Sequence, residues 1–248
     1  MCVPWQIATM DALFRLYDRL ALLAPGDDET SRAALRRVMP LPPRARVLDI
    51  GCGTGRSARM IAAEQPDAEV IAIDVHPPFL EEAARGAPPS LRTRNESMDA
   101  LSDPDESVDL IWSEGAAYVM GFEAALRSWR RVMRPGAHAV VSELCWLRAP
   151  SETARAFWAE AYPDMTNVEG TTRRAQSAGL EVIETLVLPE RAWDAYYAPL
   201  EARCDALASD PTMHAAIESA RREIALWRAT RGEYGYVMLV MRRVSPSR

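Results

Sequence analysis

Val47-Leu48-Asp49-Ile50-Gly51-Cys52-Gly53-Thr54-Gly55 sets three glycines at alternate positions directly after an apolar run, with a carboxylate two residues before the first. Glycine lacks a Cβ, so such a loop can turn tightly and lay its backbone against a ligand. In open α/β sheets ligands sit outside the carboxyl ends of the strands. The next apolar run ends in Asp74, roughly 20 residues on, where an acid accepts hydrogen bonds from ribose hydroxyls and disfavours a 2′-phosphate. Two ligand classes share these features. A dinucleotide loop follows G-x-G-x-x-G, whose third glycine would fall at Arg56, whereas this chain has G-x-G-x-G. Asp49 also suits the cationic end of an amino acid better than a pyrophosphate.

Further along, two Ser-Glu pairs, Ser113-Glu114 and Ser142-Glu143, each close an apolar run. If those runs are neighbouring strands, about 4.8 Å apart, the two carboxylates are expected to border one crevice. Such a pair raises one pKa or holds a cation between its members. It would serve as a general base for an acceptor N–H or O–H, or as a seat for an ammonium group. Glu114, directly after Ser113, is the first candidate, with Tyr118 beside it to position the acceptor. Aromatic residues gather downstream: Trp146, Phe157, Trp158, Tyr162, Trp193, Tyr196 and Tyr197. Rings over a cation attract it, so Trp146, Tyr162, Trp193 and Tyr197 with Glu143 form a candidate substrate site. The plainer reading makes Phe157, Trp158 and Trp193 core residues. His76, close to Asp74, is a candidate contact for an adenosine.

These residues need a scaffold. Residues 9–23 place Leu13, Phe14, Tyr17, Leu20 and Leu23 on one helical face, and Pro25-Gly26 stops that helix. A second helix follows Asp27 and ends near Met39. Apolar runs at 44–50, 69–74, 91–94, 107–113 and 138–144 read as strands, with helices at about 56–65, 77–85 and 121–133 between them and a turn at Arg134-Pro135-Gly136. That alternation predicts a parallel sheet with right-handed crossovers. Then come helices at 151–161 and 167–178, a strand at 180–188, helical sequence over about 193–230 broken at Pro199 and Pro211, and a closing strand at 234–243.

VLDIGCGTG followed by Asp74 resembles the class I, Rossmann-like S-adenosylmethionine-dependent methyltransferases over about residues 44–147, and more weakly to the C-terminus. The resemblance implies an α/β, doubly wound, seven-stranded sheet of order 3-2-1-4-5-7-6 with its last strand antiparallel, helices on both faces and extra helices over the active site. It implies that Asp49, Gly51, Cys52 and Gly53 hold the methionine part of S-adenosylmethionine, that Asp74 with Val75 holds the ribose side, that Met98-Asp99 meets the adenine, and that Ser113 lines the donor cleft. Ser-Glu-Gly-Ala-x-Tyr from Ser113, Gly121-Phe122-Glu123, Leu188-Pro189-Glu190-x-x-Trp193 and Tyr234-Gly235-Tyr236-Val237 are similar to a bacterial small-molecule subgroup. Markers of several macromolecular subgroups are missing from the segment after Ser113: [DNS]-P-P-[YFW], Pro-Cys, or two Glu in one short loop.

The expected organisation is one domain over 1–248: cover helices in 1–40, a donor-binding core in 44–147, acceptor-side elements in 148–230 and the closing strand. Composition supports this by exclusion. All 29 basic residues are Arg, which removes the phosphate-loop Lys and Schiff-base chemistry. The net charge of −6 disfavours nucleic acid as a partner. No apolar run approaches the roughly 18 residues of a membrane span, and Cys2, Cys52, Cys145 and Cys204 show no metal or disulfide spacing. A cytoplasmic enzyme with a small-molecule acceptor, no metal, no membrane and a possible homo-oligomeric state is expected. A non-catalytic S-adenosylmethionine- or S-adenosylhomocysteine-binding scaffold is the alternative, and a nicotinamide oxidoreductase a third reading.

Overall fold

The computed structural model describes residues 10–244; Thr9, where the first helix was expected to begin, Cys2 and residues 245–248 lie outside them. The sheet grows from short runs buried on both sides. β1 (Arg46–Ile50), β2 (Glu69–Asp74) and β4 (Val108–Ser113) are almost wholly buried, as parallel strands covered by helices on each face must be. β3 (Leu91–Asn95) lies at one edge, and β5 (Met133–Trp146), β6 (Leu180–Val187) and β7 (Tyr234–Arg243) complete the order β3-β2-β1-β4-β5-β7-β6. β7 runs antiparallel to both of its neighbours, so the expected topology is the observed one. A two-residue strand, Thr166–Asn167, adds a short parallel pairing to the end of β5.

Among the described residues nine α-helices accompany these strands: α1 (Met10–Tyr17), α2 (Asp28–Arg37), α3 (Arg56–Glu64), α4 (Pro77–Ala84), α5 (Phe122–Trp129), α6 (Glu152–Ala161), α7 (Val168–Ser177), α8 (Glu190–Ala206) and α9 (His214–Ala229). Side chains alternate across a strand, and the two faces form separate apolar layers. On one face Val47, Leu110, Trp112, Val140, Leu144 and Tyr236 pack with α1, α2, α3, α6, α8 and α9. On the other, Leu48, Ile111, Val141 and Leu239 pack with α5 and α7.

Two expectations fail at prolines. Pro199 sits inside α8 rather than breaking it. A helical proline removes one hydrogen bond, but Trp193, Tyr196, Tyr197, Leu200 and Cys204 are all buried along α8, and tertiary packing supplies most of a helix's stability. Arg134-Pro135-Gly136 is not a separate turn either. It forms an irregularity within β5, where the register against β4 shifts between Val108 and Leu110 and Gly136 takes φ 79°.

Candidate functional site

β1 delivers the glycine loop to the sheet end. Gly51 and Cys52 N–H both donate to the Ile73 carbonyl at 2.9 Å, which ties the loop to β2. Gly51 and Gly53 have φ of 70° and 52°, the left-handed region that favours glycine. A Cβ on Gly53 would come within 2.6 Å of Leu23 Cδ1, because residues 21–26 fold over the loop. The result is a cleft of about 200 Å³, lined among others by Phe14, Leu23, Gly51, Cys52, Gly53, Asp74, Val75, Met98, Glu114 and Tyr118. Asp74 is held from both sides, accepting from Gly53 N at 3.0 Å and from His76 N at 2.9 Å.

Asp49 points to the same face as Val47. It is 2 % exposed, and its Oδ2 meets no hydrogen-bond partner among the described residues. Burial, reinforced by the nearby charge of Glu114, raises its pKa to about 8. A buried carboxylate oxygen without a partner is costly, and a cation placed there removes that cost. The α-ammonium of S-adenosylmethionine has the right chemistry, and the Cβ-free loop beside it admits close approach. The residues present therefore fit that donor.

Other expected donor contacts divide. Val75 and Met98 line the cleft, and Val75 is 57 % exposed, an apolar surface beside Asp74. Asp99 is exposed and is not among the lining residues. Ser113 corrects its expectation: it is fully buried and donates to the Ile50 carbonyl at 2.8 Å, tying β4 to β1 instead of facing the cleft. His76 stacks on Phe14 at 3.7 Å between ring centroids, which gives it an aromatic partner from α1.

Glu114 does line the cleft, but it is not a free base. Its Oε1 accepts from Ser31 Oγ, Ser57 Oγ and Trp112 Nε1 at 2.9, 2.9 and 2.8 Å, and its Oε2 accepts from Arg56 at 2.5 Å. Arg56 also pairs with Asp28 at 2.5 Å. Glu114 thus clamps α2, α3 and β4 together under the cleft. Ser31, Ser57 and Trp112 carry no local motif; only the folded contacts reveal them.

The expected pairing of Glu114 with Glu143 is overturned by register. Ser113 lies opposite Val141, so Glu114 aligns with Ser142, whose Oγ accepts from Gly115 N at 2.8 Å. A one-residue offset reverses the face of every side chain. Glu114 follows Leu110 and Trp112 to one face, while Glu143 follows Ala139 and Val141 to the other.

Glu143 is 3 % exposed and accepts from Tyr162 Oη at 2.5 Å. Burial pushes its pKa up to about 8 despite that hydrogen bond, and burial together with the Glu143 charge raises the Tyr162 phenol well above its ordinary value. Tyr118, in the cleft wall, meets the Tyr162 ring edge-on at 6.1 Å. Trp146 is half-buried against Tyr234. Trp193 and Tyr197 depart from the expected substrate surface. They are 1 % and 3 % exposed, Trp193 stacks on Trp227 at 4.3 Å, and Tyr197 donates to Glu223 at 2.7 Å. Their rings are spent on packing α8 against α9.

Among the described residues no group of His, Cys, Asp and Glu could hold a metal ion, and no helix is long and apolar enough to cross a membrane.

Comparison with known proteins gives three findings. Residues 47–136 match the family model described as "Methyltransferase domain". The chain is 30 % identical over 154 residues to 2-methyl-6-phytyl-1,4-hydroquinone methyltransferase from Synechocystis, covering 56 % of this chain and 48 % of that protein. It is 36 % identical over 132 residues to malonyl-[acyl-carrier protein] O-methyltransferase from Halorhodospira halophila, covering 51 % and 43 %. The chain thus spans about half the length of the curated relatives it matches. In fold it is similar to a SAM-dependent methyltransferase from Geobacter sulfurreducens solved with S-adenosyl-L-homocysteine, with a TM-score of 0.78, 19 % identity and 95 % and 98 % of the two chains covered.

Proposed function

We propose that the chain is a class I, S-adenosylmethionine-dependent methyltransferase that transfers a methyl group to a small-molecule nucleophile, a reading supported by the match of residues 47–136 to the methyltransferase-domain model. The observation that carries this reading is the unpartnered Oδ2 of Asp49 beneath the Cβ-free loop. S-adenosylmethionine supplies an electrophilic methyl group on a sulfonium centre. Asp49 takes its ammonium group, and the Gly51–Gly53 backbone with Cys52 lies along its amino-acid part. Asp74, preset by two backbone N–H groups, accepts from the ribose hydroxyls, and Val75 and Met98 present apolar surface to the adenine, with Asp99 at the outer edge.

The chain's part in the reaction is alignment and exclusion of water. Phe14 and residues 21–26 line the cleft. Tyr118 positions the acceptor. Behind it, Tyr162 and Glu143 accept the proton that an N–H or O–H nucleophile loses: Tyr162 takes it at Oη as its own proton passes to Glu143. A carboxylate raised to about 8 is matched to that task near neutral pH. Nitrogen or oxygen is therefore the favoured acceptor atom over sulfur or carbon. The names of the two curated relatives specify different acceptors, a hydroquinone and a carrier-protein malonyl group, so neither is transferred to this chain.

Isothermal calorimetry with S-adenosylhomocysteine tests donor binding, and profiling of metabolite extracts with a methyl-labelled donor tests turnover. No binding to the wild-type chain would sink the reading. Binding without transfer to any acceptor would leave only a donor-binding scaffold.

A further inference from the structure

Among the described residues the cleft at the sheet end is lined by three charged side chains, Arg56, Asp74 and Glu114, and each is engaged. Arg56 and Glu114 neutralise one another at 2.5 Å, and Arg56 also meets Asp28 at 2.5 Å. Glu114 accepts three further hydrogen bonds. Asp74, fixed by Gly53 N and His76 N, belongs with Asp49 to the proposed donor pose. The described lining therefore offers a second ligand no unpaired charge. What it does offer is apolar. Five large apolar side chains are exposed among the described residues: Ile183, Val187 and Val244 lie along β6 and just past β7, while Val75 and Val119 line this cleft.

Val75 follows Asp74 and serves the adenine in the proposed donor pose. Val119 has no such use. It sits on the 3-10 turn Ala117–Val119 after β4 and is 64 % exposed. Its neighbour Tyr118 lines the cleft and meets the ring of Tyr162, the phenol that donates to Glu143. A single exposed valine needs no explanation, but one in a cleft wall, next to the ring that faces the proposed base, marks surface for a ligand to cover. The donor is itself a sulfonium cation. A cationic acceptor would approach it with no spare carboxylate in the described lining, and an anionic one would find Arg56 already paired; a charge taken from water without a partner is strongly disfavoured. An uncharged acceptor meets neither penalty. An alkyl amine is protonated near neutral pH, as a Lys is, whereas a phenol, with a pKa of about 10 like a Tyr, stays neutral.

We infer that the methyl acceptor is an uncharged, largely apolar hydroxy compound of the phenol kind, and that Val119 is the side chain its apolar surface covers. This rests on the methyltransferase reading and narrows it to O–H acceptors. The hydroxyl oxygen attacks the methyl carbon as the carbon–sulfur bond breaks; the electrons of that bond return to sulfur, and the hydroxyl proton passes to Tyr162.

The test is calorimetry on the full chain saturated with S-adenosylhomocysteine, with three probes built on one ring: para-ethylphenol, uncharged; tyramine, cationic; and para-hydroxyphenylacetate, anionic. S-adenosylhomocysteine affinity is measured first in the wild type and in each variant. The wild type should bind para-ethylphenol at least about tenfold more tightly than either charged probe. Val119→Thr exchanges a methyl group for a hydroxyl and should weaken para-ethylphenol by about fourfold. Val119→Asp, at an exposed position, should weaken it by at least about tenfold and strengthen tyramine, with S-adenosylhomocysteine affinity unchanged in both variants. A merely structural role for Val119 would not reverse the order of the probes. If no probe binds, if a charged probe binds the wild type as tightly as para-ethylphenol, or if neither substitution alters para-ethylphenol binding, the proposed acceptor site is overturned and donor binding stands. Loss of S-adenosylhomocysteine binding in the wild type would instead overturn the methyltransferase reading.

Discussion

The two sides of the molecule are built differently. The side proposed for the donor, at the ends of β1, β2 and β4, consists of short local units: an acid, three glycines and a second acid. The side that we propose takes the acceptor joins residues far apart in the chain: Glu143 with Tyr162, and Tyr118 with Tyr162. Both sides contain a buried carboxylate with a strongly raised pKa, Asp49 and Glu143. The difference lies in the company each keeps. Glu143 has a hydrogen-bonded phenol through which a proton can move, while one oxygen of Asp49 has no partner among the described residues. The first suits proton transfer and the second suits holding a cation, so identical residue chemistry is divided between two tasks by its surroundings.

The sharpest way to break this division is Glu143→Gln. Turnover should fall by about 10³-fold, within the range of lost general-base catalysis, with donor affinity unchanged; single-turnover kinetics beside calorimetry reads both. A parallel loss of donor binding would mean that the two sides are not separate. Asp49→Asn reverses the pattern, with S-adenosylhomocysteine affinity falling by about 10²-fold, the worth of a charge-assisted contact in a buried site, and the fold unchanged by circular dichroism. Glu114→Ala should behave as neither. It removes a carboxylate held by four donors and leaves Arg56 half-paired, so urea unfolding is expected to show a loss of about 2 kcal/mol. If Glu114→Ala cut turnover in a protein of wild-type stability and donor affinity, Glu114 would be the base and Glu143 would not.

The mildest test uses pH alone. Asp49 is protonated below about 8 in the folded chain, whereas an unfolded Asp titrates near about 4. The proton therefore favours the folded, ligand-free form, and the stability it confers is lost as pH rises from about 4 through about 8. An ammonium ligand requires the ionised form. S-adenosylhomocysteine affinity should thus rise by about tenfold per pH unit below about 8, level off above it, and be accompanied by proton release. Calorimetry at pH 7 in buffers of different ionisation enthalpy checks this. A flat profile would show that Asp49 does not carry the ammonium group.

Much of the cleft lining was legible because its information is local. The glycine spacing, Asp49 and Asp74 sit in one strand–loop–helix–strand unit, and strands buried on both faces announce themselves as apolar runs. The closing strand at 234–243 was equally plain. Elsewhere the same reasoning misled. Trp193 and Tyr197 looked like a pocket surface because their ring types suit one, yet α8 and α9 use them as packing. Pro199 looked like a break because its cost is local, while the packing that outweighs it is spread along α8. Glu114 was rightly placed at the cleft, but its four donors come from α2, α3 and β4, elements that meet only on folding.

What the sequence by itself determined was the alternation of strands and helices, with the strand order following from the family resemblance, and a glycine loop flanked by Asp49 and Asp74. What only the tertiary structure decided was which way each acid faces. Alternation along a strand is a property of that strand, but the offset between β4 and β5 is set by the bulge at Val108/Leu110 and the packing of both faces. That offset of one residue sends Glu114 to Arg56 and Glu143 to Tyr162, because a side-chain period of two turns the smallest change of register into a change of face.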